Sequence, residues 1–230
     1  MINRKKIIMG IAIAVPCLLL SPIAIFYGIL AVHDSMDYQK CKKAVKSHME
    51  DYDFDYTIIR REKGKNAYPA ERCPDSYYVH DETNDVYFVV TCRESGAVIS
   101  DEHREKLAGK HIAQELADKL PDKNFTANFS VKKDSLNGSL VYYGDFSEEN
   151  SKQLYEMYLY LSERCEYTDV NYYIAPEEKK PVFEKLYRYG GNDLLKDLSD
   201  VYTGHVSGST MHIAAWSEFH TAVSNPLIYE

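Results

Sequence analysis

The chain has 230 residues, of which 45% are hydrophobic and 27% charged, a balance that fits a folded protein and excludes a disordered or low-complexity one. Arg4, Lys5 and Lys6 are the only charged side chains among the first 32 residues, so the remainder holds 24 of the 27 basic side chains and all 35 acidic ones, a net charge of −11. So acidic a surface offers no footprint for a phosphate backbone, which excludes nucleic acid from the expected partners.

Residues 7–32 read IIMGIAIAVPCLLLSPIAIFYGILAV, without a charge. As an α-helix the run would reach about 39 Å, more than the roughly 30 Å hydrocarbon core of a bilayer. It is too long for a cleavable signal peptide, and Ile29-Leu30-Ala31 is a poor cleavage site. The expectation is an uncleaved signal anchor, kinked at Pro16 and Pro22, which each remove a backbone donor. Arg4, Lys5 and Lys6 abut the run, whereas His33, Asp34 and Asp37 separate its other end from Lys40, Lys42, Lys43 and Lys46. Charge proximity, with the ready export of long C-terminal domains, predicts residues 1–6 as a cytoplasmic tail and residues 33–230 outside the cell membrane.

The spacing of Cys41, Val45 and Met49 predicts a helix over residues 35–50. Alternation then predicts a strand through Tyr52, Phe54, Tyr56 and Ile58. Residues 77–80 and 86–92 flank DETND, a hairpin signal. A helix is expected from Asp101 to Leu120, capped by Ser100, striped by Ala108, Ile112, Leu116 and Leu120, and stopped by Pro121. A domain sub-boundary could fall near residues 121–124. Phe125 to Val131 alternates, and Asn137-Gly138 suggests a turn into a strand at 139–143. Ser147 caps a helix lined by Leu154, Tyr158, Leu161 and Cys165, followed by a strand at 168–175 and a helix at 177–189 ended by Gly190-Gly191. A short helix to Ser199, a strand near 201–206 and an ambiguous tail complete the chain. Paired strands followed by helices imply an α+β fold with a mainly antiparallel sheet and helices packed on one face.

Outside the membrane segment the cysteines number four, Cys41, Cys73, Cys92 and Cys165, and allow three full pairings. A hairpin centred on Thr83 brings residue 74 opposite 92, which makes Cys73–Cys92 the preferred bridge and leaves Cys41–Cys165 as the companion. The alternative for that second pair is two buried thiols on helix faces.

Two constellations suggest chemistry. Asp51, Asp53, Asp55 and Glu62 match ligand positions of a calcium-binding loop, but Tyr56 stands where the loop needs glycine and no exiting helix follows, so strand alternation explains them better. His205, His212, Glu218 and His220 gather near the C-terminus as weak catalytic or metal-ligating residues, without the HExxH spacing of a zinc hydrolase. No cofactor is implied. The expected function is that of a non-enzymatic binding or accessory module held at the membrane by residues 7–32, with a protein or envelope partner outside the cell. The rival is an extracytoplasmic hydrolase, with or without a metal, built on the C-terminal histidines.

Overall fold

The computed structural model describes residues 27–29, 32, 35–64, 66–67, 71–121, 124–189, 198, 200–209 and 213–227. Most of the expected membrane segment, the helix expected after residue 192 and His212 lie outside the described residues. No helix among the described residues is long and apolar enough to cross a membrane. The chain divides into two compact units, one of residues up to Tyr52 with Gly64–Asp75 and Cys92–Ile99, the other of Asp53–Lys63, Ser76–Thr91 and Ser100–Glu230.

The first unit holds helix α1 (residues 35–49), in which Cys41, Val45 and Met49 are buried as their four-residue spacing predicts. Its end tightens: Asp51 N–H donates to the His48 carbonyl and Tyr52 N–H to that of Met49. Those bonds draw residues 51–52 into a helix-terminal turn, which is why the strand expected from Tyr52 begins only at Tyr56. The two-residue strands β2 (Asn66–Ala67) and β3 (Glu71–Arg72) also belong to this unit and pair antiparallel.

The second unit contains most of a four-stranded sheet ordered β1 (Tyr56–Glu62), β4 (Asp75–Asp81), β5 (Val86–Cys92), β6 (Val98–Asp101). Strands β4 and β5 alternate strictly between buried and half-buried residues, which is the period read in the sequence. Ser100 lies inside β6, so helix α2 (His103–Lys119) starts later than expected and Glu102 takes the cap position.

A five-stranded sheet follows, ordered β11 (Asn225–Pro226), β10 (Tyr202–Ser209), β9 (Tyr167–Ala175), β8 (Ser135–Tyr143), β7 (Phe125–Lys132). The β7–β8 turn falls at Lys133-Asp134, with Lys133 at a φ of +57°, and not at Asn137-Gly138. Gly138 is instead a strand residue at φ +147°, and a Cβ there would lie 2.1 Å from the Asn128 carbonyl oxygen. The residue serves close backbone approach, a second use of strand glycine that a turn-forming dipeptide conceals. Every pairing in this sheet is antiparallel except β8 with β9, which run parallel and are joined by helix α3 (Glu148–Arg164). Ser147 caps α3 by accepting the Asn150 N–H at 3.1 Å, as its sequence predicts.

The structure is thus α+β with largely antiparallel sheets, but its helices do not all lie on one face. Leu136, Leu140 and Tyr142 of β8 point into a core with Leu116 of α2, Leu154, Tyr158 and Leu161 of α3, and Phe219 of α5 (Trp216–Val223). Val141 and Tyr143 point the other way, into a second core around Phe183 of α4 (Lys180–Tyr189). Strand alternation makes both faces of β8 apolar over this stretch, so a helix is needed on each.

Helix α2 lies so close to β7 that a Cβ on Gly109 would sit 2.2 Å from the Phe129 carbonyl oxygen. In an exposed helix Gly→Ala gains about 1 kcal/mol. Here Gly109→Ala is expected to destabilise by about 1–3 kcal/mol, because backbone cannot yield as a flexible side chain does. A urea-unfolding midpoint at or above the parent's would refute the close packing.

Candidate functional site

A cleft of about 250 Å³ opens beside β7, the terminal strand of the five-stranded sheet. Lys106, Lys110 and Ala113 line it from α2, Thr126 to Phe129 from β7, Glu184, Tyr187 and Arg188 from α4, and Asp85 to Tyr87 from the β4–β5 hairpin. A second hollow of about 350 Å³ shares Lys110, Ala113, Thr126 and Ala127 and continues along α2 toward Leu120 and Pro121.

Local structure fixes each wall. Glu184, Tyr187 and Arg188 share a helix face at spacings of three and four. That face is held by Phe183, buried against Tyr143 and Tyr173, and by Ser139 Oγ donating to Tyr187 Oη at 3.0 Å. Burial pushes the Tyr187 phenol well up, so it stays protonated. Next to it Thr126 and Tyr143 hydroxyls meet at 2.8 Å, and burial raises Tyr143 to about 12.

The hairpin wall is pinned by a buried contact between a carboxylate and an imidazole. Asp81 is fully buried, and its Oδ2 lies 2.8 Å from His103 Nε2 at the start of α2. The same carboxylate accepts the Asn84 N–H at 2.9 Å and the Asn84 side-chain amide at 2.7 Å. Burial alone would raise this carboxyl, but the two Asn84 bonds and His103 together hold it below the usual range. The His103 ring stacks on Phe54 at 4.4 Å and meets Phe88 edge-on at 4.9 Å. Lys110 Nζ completes the clamp by donating to the Asn84 and Asp85 carbonyls at 2.6 and 3.0 Å. Tyr87 is held flat on the His80 ring at 4.1 Å.

Lys106 is the chemically distinctive wall residue. Its ammonium donates to Asn128 Oδ1 at 3.1 Å, which is its hydrogen-bond partner among the described residues. Burial pulls its pKa below the ordinary lysine value, partly opposed by the Glu102 charge. An ammonium has three donors, so this one retains capacity for an acceptor in the cleft, and its desolvated charge makes pairing with an anion favourable.

The residues singled out by sequence are placed elsewhere. His205 is exposed on β10, with Nδ1 3.2 Å from Asn171 Oδ1 and Nε2 2.9 Å from Asp169 Oδ1. Glu218 accepts the Ala215 N–H at 2.9 Å, a helix-capping task. His220 stacks between Trp216 and Phe146, at 4.9 and 6.2 Å. Asp51, Asp53, Asp55 and Glu62 are all exposed. Among the described residues no three His, Cys, Asp or Glu side chains gather to hold a metal ion.

Cys41, Cys73, Cys92 and Cys165 are all free thiols. The expected Cys73–Cys92 bridge fails because β4 begins at Asp75, leaving Cys73 exposed beyond the strand, and it is Asp75 whose charge acts on Cys92. Cys165 is buried beside the main core, its thiol raised by burial and by Asp134.

The cleft residues carried only faint sequence signals. Lys106 and Lys110 flank the apolar stripe of α2 four residues apart, as solvated lysines often do, and Asn128 occupies a polar phase of β7. Their convergence with α4 depends on the parallel pairing of β8 with β9, from Ser135 with Tyr167 to Tyr143 with Ala175, which no local pattern announces. No known protein family, curated protein or solved structure matches this chain.

Proposed function

We propose that this chain is a single-pass membrane protein whose extracytoplasmic α+β domain is a non-enzymatic binding module, and that the cleft beside β7 is where it binds. The cleft carries the reading: Lys106, Lys110 and Arg188 line a hollow whose walls also include the small apolar residues Ala113 and Ala127. The domain as a whole carries a net negative charge, so anions are repelled in general and accepted locally, which favours a small carboxylate or the carboxylate-bearing side chain of a partner. Glu184 and Asp85 at the margin supply a second sign of charge for orienting it. A hollow of this size suits a group of a few heavy atoms more than a whole cofactor.

Titration calorimetry with small carboxylates bearing apolar bodies, such as hexanoate and phenylacetate, tests the site. Lys106→Met is expected to weaken binding at least about tenfold, since a charge-assisted hydrogen bond contributes about 1.5–3 kcal/mol. Lys152→Met, on the exposed side of α3, should change nothing. Equal affinity of the Lys106 variant and the parent would remove the cleft from the proposal. The anchor and orientation are tested separately by protease added to intact cells, where a fully protected domain would sink the topology.

A further inference from the structure

We propose that Cys41 and Cys92 close into a disulfide between helix α1 and the end of β5. Both thiols donate to one acceptor, the Arg93 carbonyl oxygen, Cys41 Sγ at 2.9 Å and Cys92 Sγ at 3.4 Å. Cys41 is also among the groups that raise the Cys92 thiol. Each is buried, at 1% and 0% exposure, so neither has water as a competing partner.

The surrounding backbone holds the pair in place. Gly96 N–H donates to the same Arg93 carbonyl at 2.8 Å, and Arg93 N–H donates to the Ala97 carbonyl at 2.9 Å, closing a tight turn. Gly96 sits at φ +84°, and a Cβ there would pack 3.7 Å from Lys40, the residue before Cys41. The turn is therefore seated directly on the helix segment that carries the first cysteine. A carbonyl oxygen has two lone pairs, and this one receives three donors. Removing the two thiol hydrogens relieves that excess and leaves the carbonyl satisfied by Gly96.

Oxidation proceeds by exchange with an external disulfide of the glutathione class. One cysteine thiolate attacks the reagent's S–S bond, forming a mixed disulfide and expelling one reagent thiolate; the second cysteine sulfur then displaces the other. Two electrons pass from the cysteines to the reagent, whose two sulfurs take up the two protons released. Burial, the Cys41 thiol and the Asp75 charge push the Cys92 thiol up to about 12, so little thiolate exists there at neutral pH and closure is fastest while the chain is still folding. Export from the cytoplasm would supply an oxidising compartment, although the chemistry itself is independent of topology.

The full-length chain, reduced and unfolded, is refolded in a mixture of oxidised and reduced glutathione, alkylated, digested and analysed by mass spectrometry. The expected product is one linked pair of fragments containing Cys41 and Cys92, lighter than the reduced pair by two hydrogens. It should persist in Cys73→Ser and Cys165→Ser variants and disappear in Cys41→Ser. Independent alkylation of both cysteines after oxidative refolding, or linkage of Cys92 to Cys73, would overturn the proposal. Because neither control variant touches the pair, a folding failure in Cys41→Ser leaves the linkage in the other chains as the deciding result.

Discussion

Replacing Phe219 with alanine is expected to cost about 3–5 kcal/mol, the range for emptying a buried aromatic site. The ring is fully buried on α5, with centroids 5.2 Å from each of Tyr155, Tyr158 and Tyr172, so it joins α3, β9 and the C-terminal helix in one cluster. Tyr158 oxygen accepts the Ala214 N–H at 2.7 Å, and Tyr155 Oη donates to the Ala214 carbonyl at 2.9 Å, so the segment leading into α5 is tied to the same tyrosines. A loss of this size is a large fraction of the roughly 5–15 kcal/mol that holds a typical domain folded. The single tryptophan, Trp216, lies one turn before Phe219 and meets Tyr155 edge-on at 5.5 Å, so urea unfolding can be followed by its fluorescence. A change below about 1 kcal/mol would show that α5 is not part of the core.

Asp81→Ala should be comparably damaging, by about 3–5 kcal/mol, because it strands a buried His103 ring and two Asn84 donors at once. Asp81→Asn keeps the volume and an acceptor and should cost about 1–2 kcal/mol. The pH dependence has a definite sign. The folded carboxyl lies below its ordinary value, so its stabilisation is fully present above the unfolded carboxylate range near 4 and is lost as pH falls through the lower folded value. Parent and Asp81→Asn unfolding curves should therefore converge on acidification. A stability gap that stays constant down to pH 2 would mean that the charge of Asp81 does not matter.

Local signals in the sequence reached far into this fold. The Ser147 cap, Pro121 stop and stripe of Leu154, Tyr158 and Leu161 place α3 and the end of α2 closely, because capping and helical periodicity are set within a few residues. The alternation of β4 and β5 was equally plain. What escaped were features created by distant neighbours. Asn137-Gly138 carries a strong turn signature, yet the backbone of Asn128 presses on Gly138 and keeps it in a strand. The pairing of β8 with β9 needs the whole of α3 as its connection, and no short-range pattern announces a parallel partner. Phe183 looked like one more helix residue until both faces of β8 proved apolar.

The cleft and the thiol pair escaped for related reasons. Lys106 and Lys110 have the spacing of ordinary surface lysines, and their burial follows from α2 lying against β7 at Gly109. Cysteine spacing favoured Cys73 for Cys92 by assuming that β4 extended two residues further than it does. The turn at Arg93 to Gly96, which brings Cys41 and Cys92 to one carbonyl, leaves only a lone glycine as its trace.

The fit of α2 against β7 also bears on how copies of this protein behave in a crowd. A terminal strand exposes unpaired backbone groups that invite another chain to add a strand, the first step toward aggregates. Helix α2 lies along β7 at Gly109 and denies that approach near Phe129. The opposite margin, β11, is only two residues long and includes Pro226, which has no N–H to offer. Each margin of the five-stranded sheet is therefore blunted locally, β7 by a helix near Phe129 and β10 at Tyr202 and Thr203 by a two-residue strand with a proline, which hinders recruitment of a further strand at those places.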